Sequence, residues 1–510
     1  MKKYYFLLLL AVSYFTIAQT FSLDPSFGES GYRKINSTTL SDAIMLPNGQ
    51  FITAYNSSSS INIKKINQNG AVDAAFGTKI IDIDSYSSID ESESVKKMVL
   101  HNNKIIMIGR ANANPTYSLY NLFILRMNLD GTLDTTFGTN GFTKIPWGQY
   151  GTADDIVVDD SGNSYVLGYN MGNFIVKFNA NGIKDNSFGT NGSLALGSFD
   201  PRKLYRQNDG KFVLVGSKKN TSTNINESYI ERRLADGTYD TAFGNNGSVI
   251  VPSNMNTVIS NFEYDYANNT ILLLHSASDG YDSVFLSKIQ ISDGAFVTGF
   301  SNGGRTPNYS FTNAPRLYMS QIKVLPNSKI VVIGNVSNFW TANINMQLIL
   351  MRFNGNGTID YSASSNGYQI FNTTPPSTGV KAEDIQRLFV LDEGSFVLSY
   401  SGSSGGVYGY SSYLTKFTGA FLGVNDTAVD RSQSSLTLFP NPVGNTFTIQ
   451  NKNKGNDSFE YKILDVSGRI VQSGSSKFNI ETNIQELQKG NYIIQTEVKG
   501  DRQSLKFIKN

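Results

Sequence analysis

The stretch Arg126–Gly141, RMNLDGTLDTTFGTNG, decides the fold class. It places a basic residue at the end of an apolar run, then an Asp-Gly turn, an Asp eight residues after Arg126, and the pair Phe137-Gly138. Related cassettes recur along the chain. A sequence period of this length is typical of repeat architectures, in which each repeat is one supersecondary unit.

Two anchors count the repeats independently. The Phe of Phe-Gly recurs at intervals from 49 residues (27 to 76) to 63 residues (300 to 363), with Ala363 in the seventh place. These positions are Phe27, Phe76, Phe137, Phe188, Phe243, Phe300 and Ala363. The basic residue also occurs seven times, at Lys65, Arg126, Lys177, Arg232, Lys288, Arg352 and Lys416.

Each unit also contains a hairpin, such as the one around Asn208-Asp209-Gly210, and Asn-Gly or Asp-Gly tolerates the positive φ angles of tight turns. About four short strands per unit predict the blade of a β-propeller. We therefore expect an all-β protein: a seven-bladed β-propeller over residues 20–420, followed by a small C-terminal β-sandwich. A stacked β-solenoid is the alternative, although its coils are usually shorter.

The two ends of the array complete each other. Lys416 begins a cassette that lacks its Asp and Phe-Gly, whereas Asp24 and Phe27 supply these residues with no basic strand before them. A closed ring would reunite the halves and remove exposed sheet edges. The sequence therefore predicts ring closure through Asp24, Phe27 and Lys416.

The N-terminus has the pattern of a secretory signal peptide over residues 1–18, with Lys2 and Lys3 before an apolar stretch and Ala18 before the cut. The chain has 510 residues, no Cys and a net charge of +2, with 16% charged residues. This composition excludes a disulfide scaffold and argues against nucleic-acid binding. The sequence predicts no transmembrane segment, because no later run has the necessary length.

The recurrent charges are expected to be structural ion pairs rather than an anion site, because buried charges are normally paired. The turn around Asp130 resembles a calcium loop but has too few carboxylates. The two histidines, His101 and His275, occupy unrelated positions. The sequence therefore predicts no catalytic, cofactor-binding or metal-ligating residue and no cofactor. Paired acids are the remaining route to hydrolysis: Glu91/Glu93, Asp154/Asp155 and Glu383/Asp384.

Aromatic residues outside the repeated positions are the candidates for ligand contact: Trp147, Tyr150, Trp340 and Tyr408. Exposed rings can stack on sugars or anchor a partner protein. The alternative is packing between repeats.

Residues 421–434 read as a polar linker, and residues 435–510 as a separate unit of alternating apolar strands and Gly turns. The unit contains Phe439-Pro440-Asn441-Pro442, Asp465-Val466-Ser467-Gly468-Arg469 and Leu487-x-x-Gly490-x-Tyr492. These motifs closely resemble the type A sorting domain of the type IX secretion system of Bacteroidetes. The resemblance implies export through the periplasm, contact with the secretion machinery, and release or surface anchoring. It also implies that Phe439 to Pro442, Gly490 and Tyr492 serve recognition and folding.

The repeats resemble the bacterial delta-60 repeat, with Leu133, Asp134, Phe137 and Gly138 matching its motif. That family brings no catalytic residues to this chain. We expect a secreted or outer-surface, non-enzymatic binding or adhesion module with a possible glycan or protein ligand. The alternatives are a secreted polysaccharide hydrolase or lyase and a structural surface or matrix component.

Overall fold

A computed structural model describes residues 22–509 with internal gaps. The residues not described are 1–21, 58–59, 84–92, 115–118, 198, 254, 266–267, 278–282, 311–315, 326–327, 339–344, 362–365, 372–383, 392–394, 404–409, 419–435, 440–442, 452–457, 466–468, 499–500 and 510. All regular elements in the described residues are strands, which confirms the all-β class. Those residues include no helix long and apolar enough to cross a membrane. The predicted signal peptide and linker lie outside the described residues.

The described residues between 22 and 418 form seven antiparallel sheets, numbered here in chain order from sheet 1 to sheet 7. Their first strands are β3 (Leu40–Met45), β7 (Glu93–His101), β11 (Thr152–Val158), β15 (Asp200–Arg206), β19 (Thr257–Asp265), β22 (Arg316–Val324) and β26 (Asp384–Val390). Their second strands are β4 (Phe51–Ser57), β8 (Lys104–Asn114), β12 (Ser164–Tyr169), β16 (Phe212–Asn220), β20 (Thr270–Ala277), β23 (Ile330–Asn338) and β27 (Phe396–Ser403).

The third strands carry the basic residue of the cassette. They are β5 (Ser60–Ile66), β9 (Leu119–Asn128), β13 (Asn173–Phe178), β17 (Ile225–Arg233), β21 (Val284–Gln290), β24 (Asn345–Phe353) and β28 (Tyr410–Thr418). Five sheets have a fourth strand from the same repeat: β6 (Thr78–Ile81), β10 (Phe142–Gln149), β14 (Ser193–Ala195), β18 (Ser248–Val251) and β25 (Tyr368–Phe371). In sheet 5, isolated bridges from Val284 to Tyr309 and from Ser287 to Arg305 take its place.

The core is divided into layers between neighbouring sheets. The first strands contact one another in cyclic order, from β3 through β7, β11, β15, β19, β22 and β26 back to β3. Buried apolar clusters lie between sheets 1 and 2, 2 and 3, and so on, and a further cluster joins sheet 7 to sheet 1. That last cluster includes Phe27, Leu40 and Leu414. Because apolar burial drives folding, each sheet depends on both neighbours for its stability.

The N-terminal strands complete sheet 7. Strands β1 (Ser22–Leu23) and β2 (Tyr32–Asn36) pair antiparallel with β28, so that Leu23 lies opposite Phe417. Asp24 Oδ2 lies 2.9 Å from Lys416 Nζ, and the Asp24 amide donates to the Lys416 carbonyl over 2.9 Å. Burial raises the pKa of Asp24, but hydrogen bonds from Ser26 and Lys416 outweigh it and hold that pKa below its ordinary value.

The intact cassettes have the same geometry. The amide eight residues after the basic residue donates to its carbonyl over 2.9–3.0 Å in the units of Lys65, Arg126, Lys177, Arg232 and Arg352. In the Lys288 unit the equivalent donor is the amide of Val297, nine residues after the lysine, also over 2.9 Å. Ion pairs accompany this bond in Arg126–Asp134 (2.8 Å), Lys177–Asp185 (2.7 Å), Arg232–Asp240 (2.8 Å) and Arg352–Asp360 (2.6 Å). The contacts between Asp24 and Lys416 therefore reproduce an ordinary cassette from the two ends of the repeat region.

The Phe-Gly element, or its equivalent, connects neighbouring sheets at four boundaries in the described residues. The Gly28 amide donates to the Asn69 carbonyl over 2.8 Å, and the ring of Phe27 packs against Gly70. Gly70 has φ +80°, and a Cβ there would lie 3.0 Å from Phe27 Cδ1, so a side chain would be both strained and crowded. Equivalent bonds run from Gly138 to Asn181, from Gly244 to Asp293 and from Ser301 to Asn356.

The C-terminal unit has two further sheets around one core. One contains β29 (Leu436–Phe439), β30 (Thr446–Asn451) and β33 (Glu481–Asn483). The other contains β31 (Ser458–Asp465), β32 (Ile470–Lys477), β34 (Gly490–Val498) and β35 (Asp501–Lys509). Side chains of both sheets, including Phe447, Ile463 and Phe507, share one buried cluster.

We predict that Asp24→Asn destabilises the closure by about 1–2 kcal/mol, because it leaves the partly buried Lys416 without its partner. Amide hydrogen exchange should accelerate in residues 22–36 and 410–418. Asp185→Asn is the matched control and should accelerate exchange in sheet 3 only. Since the pKa of Asp24 is lowered on folding, the difference between wild type and Asp24→Asn should be full at neutral pH and diminish as acidification protonates the Asp24 carboxylate in the folded chain. Unchanged exchange at both ends would contradict the prediction.

Candidate functional site

The first strand of every sheet carries a β-bulge at one equivalent position. The pairing register with the second strand shifts between Leu40 and Asp42, and at the matching place in each of the other six first strands. A bulge places two residues opposite one and re-aims the side chain beside it. The residues that follow the bulges, called the belt here, are Asp42, Lys97, Asp155, Lys203, Asn261, Gln321 and Arg387.

On one side of the cycle, charged belt residues connect successive sheets. Arg387 of sheet 7 binds Asp42 of sheet 1 through a two-pronged contact, Nε to Oδ1 at 2.7 Å and Nη2 to Oδ2 at 2.8 Å. Asp42 Oδ2 also accepts from the Met98 amide of sheet 2 over 2.8 Å. Lys97 of sheet 2 lies 3.3 Å from Asp155 of sheet 3. Charged groups thus bridge three consecutive boundaries between sheets.

Hydrogen bonds from belt side chains to backbone groups bridge three further boundaries between sheets, whereas Lys203 makes no such contact in the described residues. Asp155 Oδ2 accepts from the Leu204 amide of sheet 4 over 3.0 Å. Asn261 donates to the Ser320 carbonyl of sheet 6 over 2.8 Å, and Gln321 donates to the Gln386 carbonyl of sheet 7 over 3.1 Å. Lys203 forms no ion pair within 4.0 Å and no hydrogen bond through its side chain among the residues that the structure describes.

Burial and neighbouring charges set the pKa values of the belt. Burial lowers the pKa of Lys97 to about 7, although Asp155 opposes the shift. Burial raises the pKa of Asp42, but Arg387 outweighs it and the pKa lies below its ordinary value. The same balance, with Lys97 and Lys203 as the cations, lowers the pKa of Asp155. The two acids are therefore charged at neutral pH and serve as partners for the cations.

A cavity of about 400 Å³ lies beside the belt, where the first strands continue toward their hairpin turns. The belt residues of sheets 2 to 7 line it together with aromatic residues of sheets 4, 5 and 7. The rings of Tyr205 and Tyr264 stack across the boundary between these sheets, with centroids 4.8 Å apart and planes at 20°. Phe262 and the Glu263–Lys323 ion pair (2.8 Å) also line the cavity.

The aromatic residues that the sequence singles out have different surroundings. The prediction of ligand contact is wrong for Trp147, which is 5% exposed in β10 and packs in the cluster between sheets 2 and 3. Its indole Nε1 donates to the Tyr169 carbonyl over 2.8 Å, so its polar edge is also occupied. Tyr150 is 62% exposed in the turn after β10 and stays a candidate. Trp340 and Tyr408 lie outside the described residues.

In the C-terminal unit, Phe439 ends β29 with 64% of its surface exposed, while Pro440, Asn441 and Pro442 lie outside the described residues. Gly490 begins β34 opposite Lys509. Tyr492 is 8% exposed, stacks on Phe507 with centroids 5.5 Å apart, and donates from its hydroxyl to the Gln488 carbonyl over 2.8 Å. Tyr492 thus stabilises the fold, and Phe439 is available at the surface.

The acids proposed for hydrolysis divide into two kinds. Asp155 is 5% exposed and paired with Lys97 in the belt. Asp154, its neighbour at the bulge, and Asp384 at the start of β26 have pKa values raised by burial. Glu93 is buried, and Glu91 and Glu383 lie outside the described residues. In the described part of the chain, no three His, Asp or Glu side chains form a group that could hold a metal ion.

The histidines do not share a site. His275 is fully buried in sheet 5 between Ser228 (2.8 Å from Nδ1) and Ser287 (2.7 Å from Nε2), and its ring stacks on Phe285. Burial lowers its pKa well below the ordinary value, so the ring is neutral. This arrangement satisfies a buried polar side chain and leaves no access for a substrate.

Sequence reasoning missed most of the belt, although a signal exists. Every first strand has two polar residues in succession after a buried apolar one, for instance Val95-Lys96-Lys97. Consecutive polar residues break the alternation of a half-buried strand, and a bulge is the structural cause of such a break. The pattern of paired acids includes Asp154-Asp155 but not the equivalent positions that carry Lys, Asn, Gln or Arg.

Fold and motifs define a class: an all-β repeat protein with a two-sheet C-terminal unit. Residues 437–510 match the family described as secretion system C-terminal sorting domain. Residues 102–137 and 325–362 match the family described as domain of unknown function (DUF5122) beta-propeller. These matches confirm both resemblances. The chain is therefore exported by the type IX secretion system to the cell surface or beyond, and its sorting domain implies contact with the secretion machinery.

No curated protein matches the chain. PorZ, an essential bacterial surface component of the type-IX secretion system of Porphyromonas gingivalis, is similar at 10% identity and TM-score 0.29, over 93% of this chain and 75% of that one. The β-propeller domain of the Trilobed protease from Pyrococcus furiosus has 12% identity and TM-score 0.38, over 78% and 99%. Prolyl oligopeptidase B from Galerina marginata has 11% identity and TM-score 0.41, over 91% and 56%. These values carry no argument about function.

We predict that Asp42→Asn lowers the free energy of unfolding by about 3 kcal/mol, because Arg387 is left without its carboxylate partner. The double variant Asp42→Asn/Arg387→Leu should lose less than the sum of the single variants, since the two groups interact directly. Denaturant unfolding measures both effects. Asp200→Asn removes half of the exposed Arg202–Asp200 pair (2.9 Å) and should cost less than about 0.5 kcal/mol. Equal losses in Asp42→Asn and Asp200→Asn would refute a structural role of the belt.

We also predict that Lys97 makes stability rise with pH. Its pKa is about 7 in the folded chain and about 10.4 when unfolded, so the unfolded state binds more protons between these values. The burial penalty of the charged lysine is therefore present below about pH 7 and relieved toward pH 10. In Lys97→Met this rise in the free energy of unfolding should shrink, whereas Lys219→Met, at an exposed position of sheet 4, should retain it. Parallel profiles for wild type and Lys97→Met would contradict the prediction.

Proposed function

We propose that the chain is a non-enzymatic binding or adhesion module, built as a seven-bladed propeller and delivered to the cell surface by a C-terminal β-sandwich. The cyclic contacts of the first strands, the apolar cluster between sheets 7 and 1, and the Asp24–Lys416 pair support one closed ring. The shared core of the two C-terminal sheets supports the sandwich. In such a ring the belt and its cavity would occupy the central channel, a common place for ligands.

The observation that carries the binding role is the pairing of charges around the cavity. Asp155, the most buried acid in its lining, has Lys97 at 3.3 Å and a pKa held below its ordinary value. Glu263 is likewise paired with Lys323. A general acid needs a raised pKa, and a nucleophilic carboxylate must be free to approach its substrate. Ion-paired acids beside aromatic rings are better suited to recognition than to hydrolysis.

A secreted hydrolase or lyase is the second candidate, and one observation favours it. Burial raises the pKa values of Asp154 and Asp384, for both of which Lys96 is a charged neighbour. A raised pKa is what a glycosidase acid requires. These acids lie on the side of the belt where the first strands begin, away from the hairpin turns that flank the cavity. The third candidate, a structural surface or matrix component, would bind no small ligand.

We predict that the purified chain binds members of a glycan panel and releases no reducing sugar from the corresponding polysaccharides, because its cavity acids are ion-paired. Binding by calorimetry and sugar release by a reducing-end assay should be measured on the same samples. Release that disappears in Asp155→Asn, Asp154→Asn or Asp384→Asn would establish the enzyme instead. If the purified chain binds no glycan and no protein ligand, the structural role is favoured.

A further inference from the structure

In the described residues, one belt residue lacks the side-chain contact to a neighbouring sheet that the other six make, and the cavity lies beside this residue. Six of the seven belt residues contact a neighbouring sheet through their side chains, by the ion pairs and hydrogen bonds given above. Lys203 forms none of these among the described residues, although it lines the cavity and is only partly exposed. An ammonium group in such a place attracts an anion, because a partly buried charge gains from a counterion.

The charges that line the cavity limit the ligand to one negative charge. Lys97 and Lys203 both face Asp155, whereas Lys323 is paired with Glu263 and Arg387 with Asp42. The guanidinium of Arg387 is already engaged by both oxygens of Asp42, so it is not free to hold a phosphate with the same fork. Four cations thus face three carboxylates, and one further carboxylate, placed at Lys203, balances the site.

The rest of the lining fits a ligand with an apolar face and hydroxyl groups. Tyr205 and Tyr264, stacked on each other, and Phe262, nearly perpendicular to Tyr205, form an aromatic part of the lining, and the C–H face of a sugar ring packs against aromatic rings. Gln386 also lines the cavity, and its buried Oε1 accepts no hydrogen bond from the described residues. An unsatisfied buried acceptor calls for a donor, which a sugar hydroxyl provides.

We propose that this cavity binds a uronic acid residue, with its carboxylate on Lys203 and its ring against Tyr205 and Tyr264. The volume of about 400 Å³ lies within the range of small-ligand sites. The inference rests on the proposed binding function and assigns it a ligand class, the acidic sugars. A free uronate and the terminal unit of an acidic polysaccharide present the same carboxylate and ring.

Calorimetry on the full chain at low salt tests this inference with glucuronate and galacturonate, with glucose and galactose as neutral counterparts. We expect both uronates to bind, the neutral sugars to bind at least tenfold more weakly, and Lys203→Met to weaken uronate binding at least tenfold. Lys203→Arg should keep most of the affinity, because it preserves the positive charge. Lys219→Met is the matched control from the same sheet and should bind as wild type does. Oligogalacturonate distinguishes the sources: binding at least as tight as galacturonate favours a polymer end, and weaker binding favours the free sugar.

The thermal midpoint of unfolding shows whether each variant folds. If Lys203→Met does not fold, the comparison of uronate binding between Lys203→Glu and Lys203→Arg tests the role of the positive charge. Uronate binding that is equal in wild type and Lys203→Met would overturn the assignment, as would tighter binding of glucose 6-phosphate than of glucuronate. If uronates fail but another glycan or protein binds, the acidic-sugar inference is wrong and the binding function stands. Release of sugar from the panel would overturn the binding function itself, and absence of all binding would overturn both.

Discussion

The pairing of β1 and β2 with β28 is the constraint on which the repeat region depends. Every sheet buries its apolar faces against two neighbours, so an unclosed array would leave sheets 1 and 7 each with one apolar face exposed to water. The pairing supplies the outer strands of sheet 7, and an apolar cluster joins that sheet to sheet 1. Because the repeat is cut within a cassette, the N-terminal half brings Asp24 and Phe27 to groups that the other units hold within one chain segment. The two ends of the repeat region are thus joined by contacts that the chain also uses elsewhere.

The belt is the polar counterpart of these apolar clusters. Bulges in the first strands place a polar side chain at the same position in each of the seven sheets, where it is mostly buried between neighbouring sheets and a charge needs a partner. Asp42 meets this requirement with a forked contact to Arg387, and Asp155 with Lys97 and the Leu204 amide. Each partner comes from the neighbouring sheet, so satisfying a buried charge also fixes how adjacent sheets are placed. This explains why the same strand position is polar throughout but chemically different from sheet to sheet.

The sequence was sufficient for the repeat, the all-β class and the sorting domain because each rests on local patterns. The eight-residue offset from Arg126 to Asp134 corresponds to a backbone hydrogen bond and an ion pair, so spacing alone identifies it. The Lys288 cassette departs from this spacing, because Val297, nine residues after the lysine, stands where an Asp is expected. There the structure supplies Asp265, 2.9 Å from the ammonium, from another strand of the same sheet. Spacing could not reveal this replacement, because Asp265 has no fixed offset from the cassette.

The candidate site was beyond the reach of local patterns for a related reason. Trp147 was attractive as an irregularly placed aromatic residue, yet its burial depends on the packing of sheet 2 against sheet 3. Nothing in the sequence distinguishes Lys203, because a lysine beside another polar residue is common. Only the folded structure distinguishes it: the side chains of the other belt residues contact a neighbouring sheet, and in the described residues that of Lys203 does not. In a repeat protein, positions that make the same contacts in every repeat stabilise the fold. Binding specificity can arise at a position whose contacts differ from those of its equivalents, even where its residue type is ordinary.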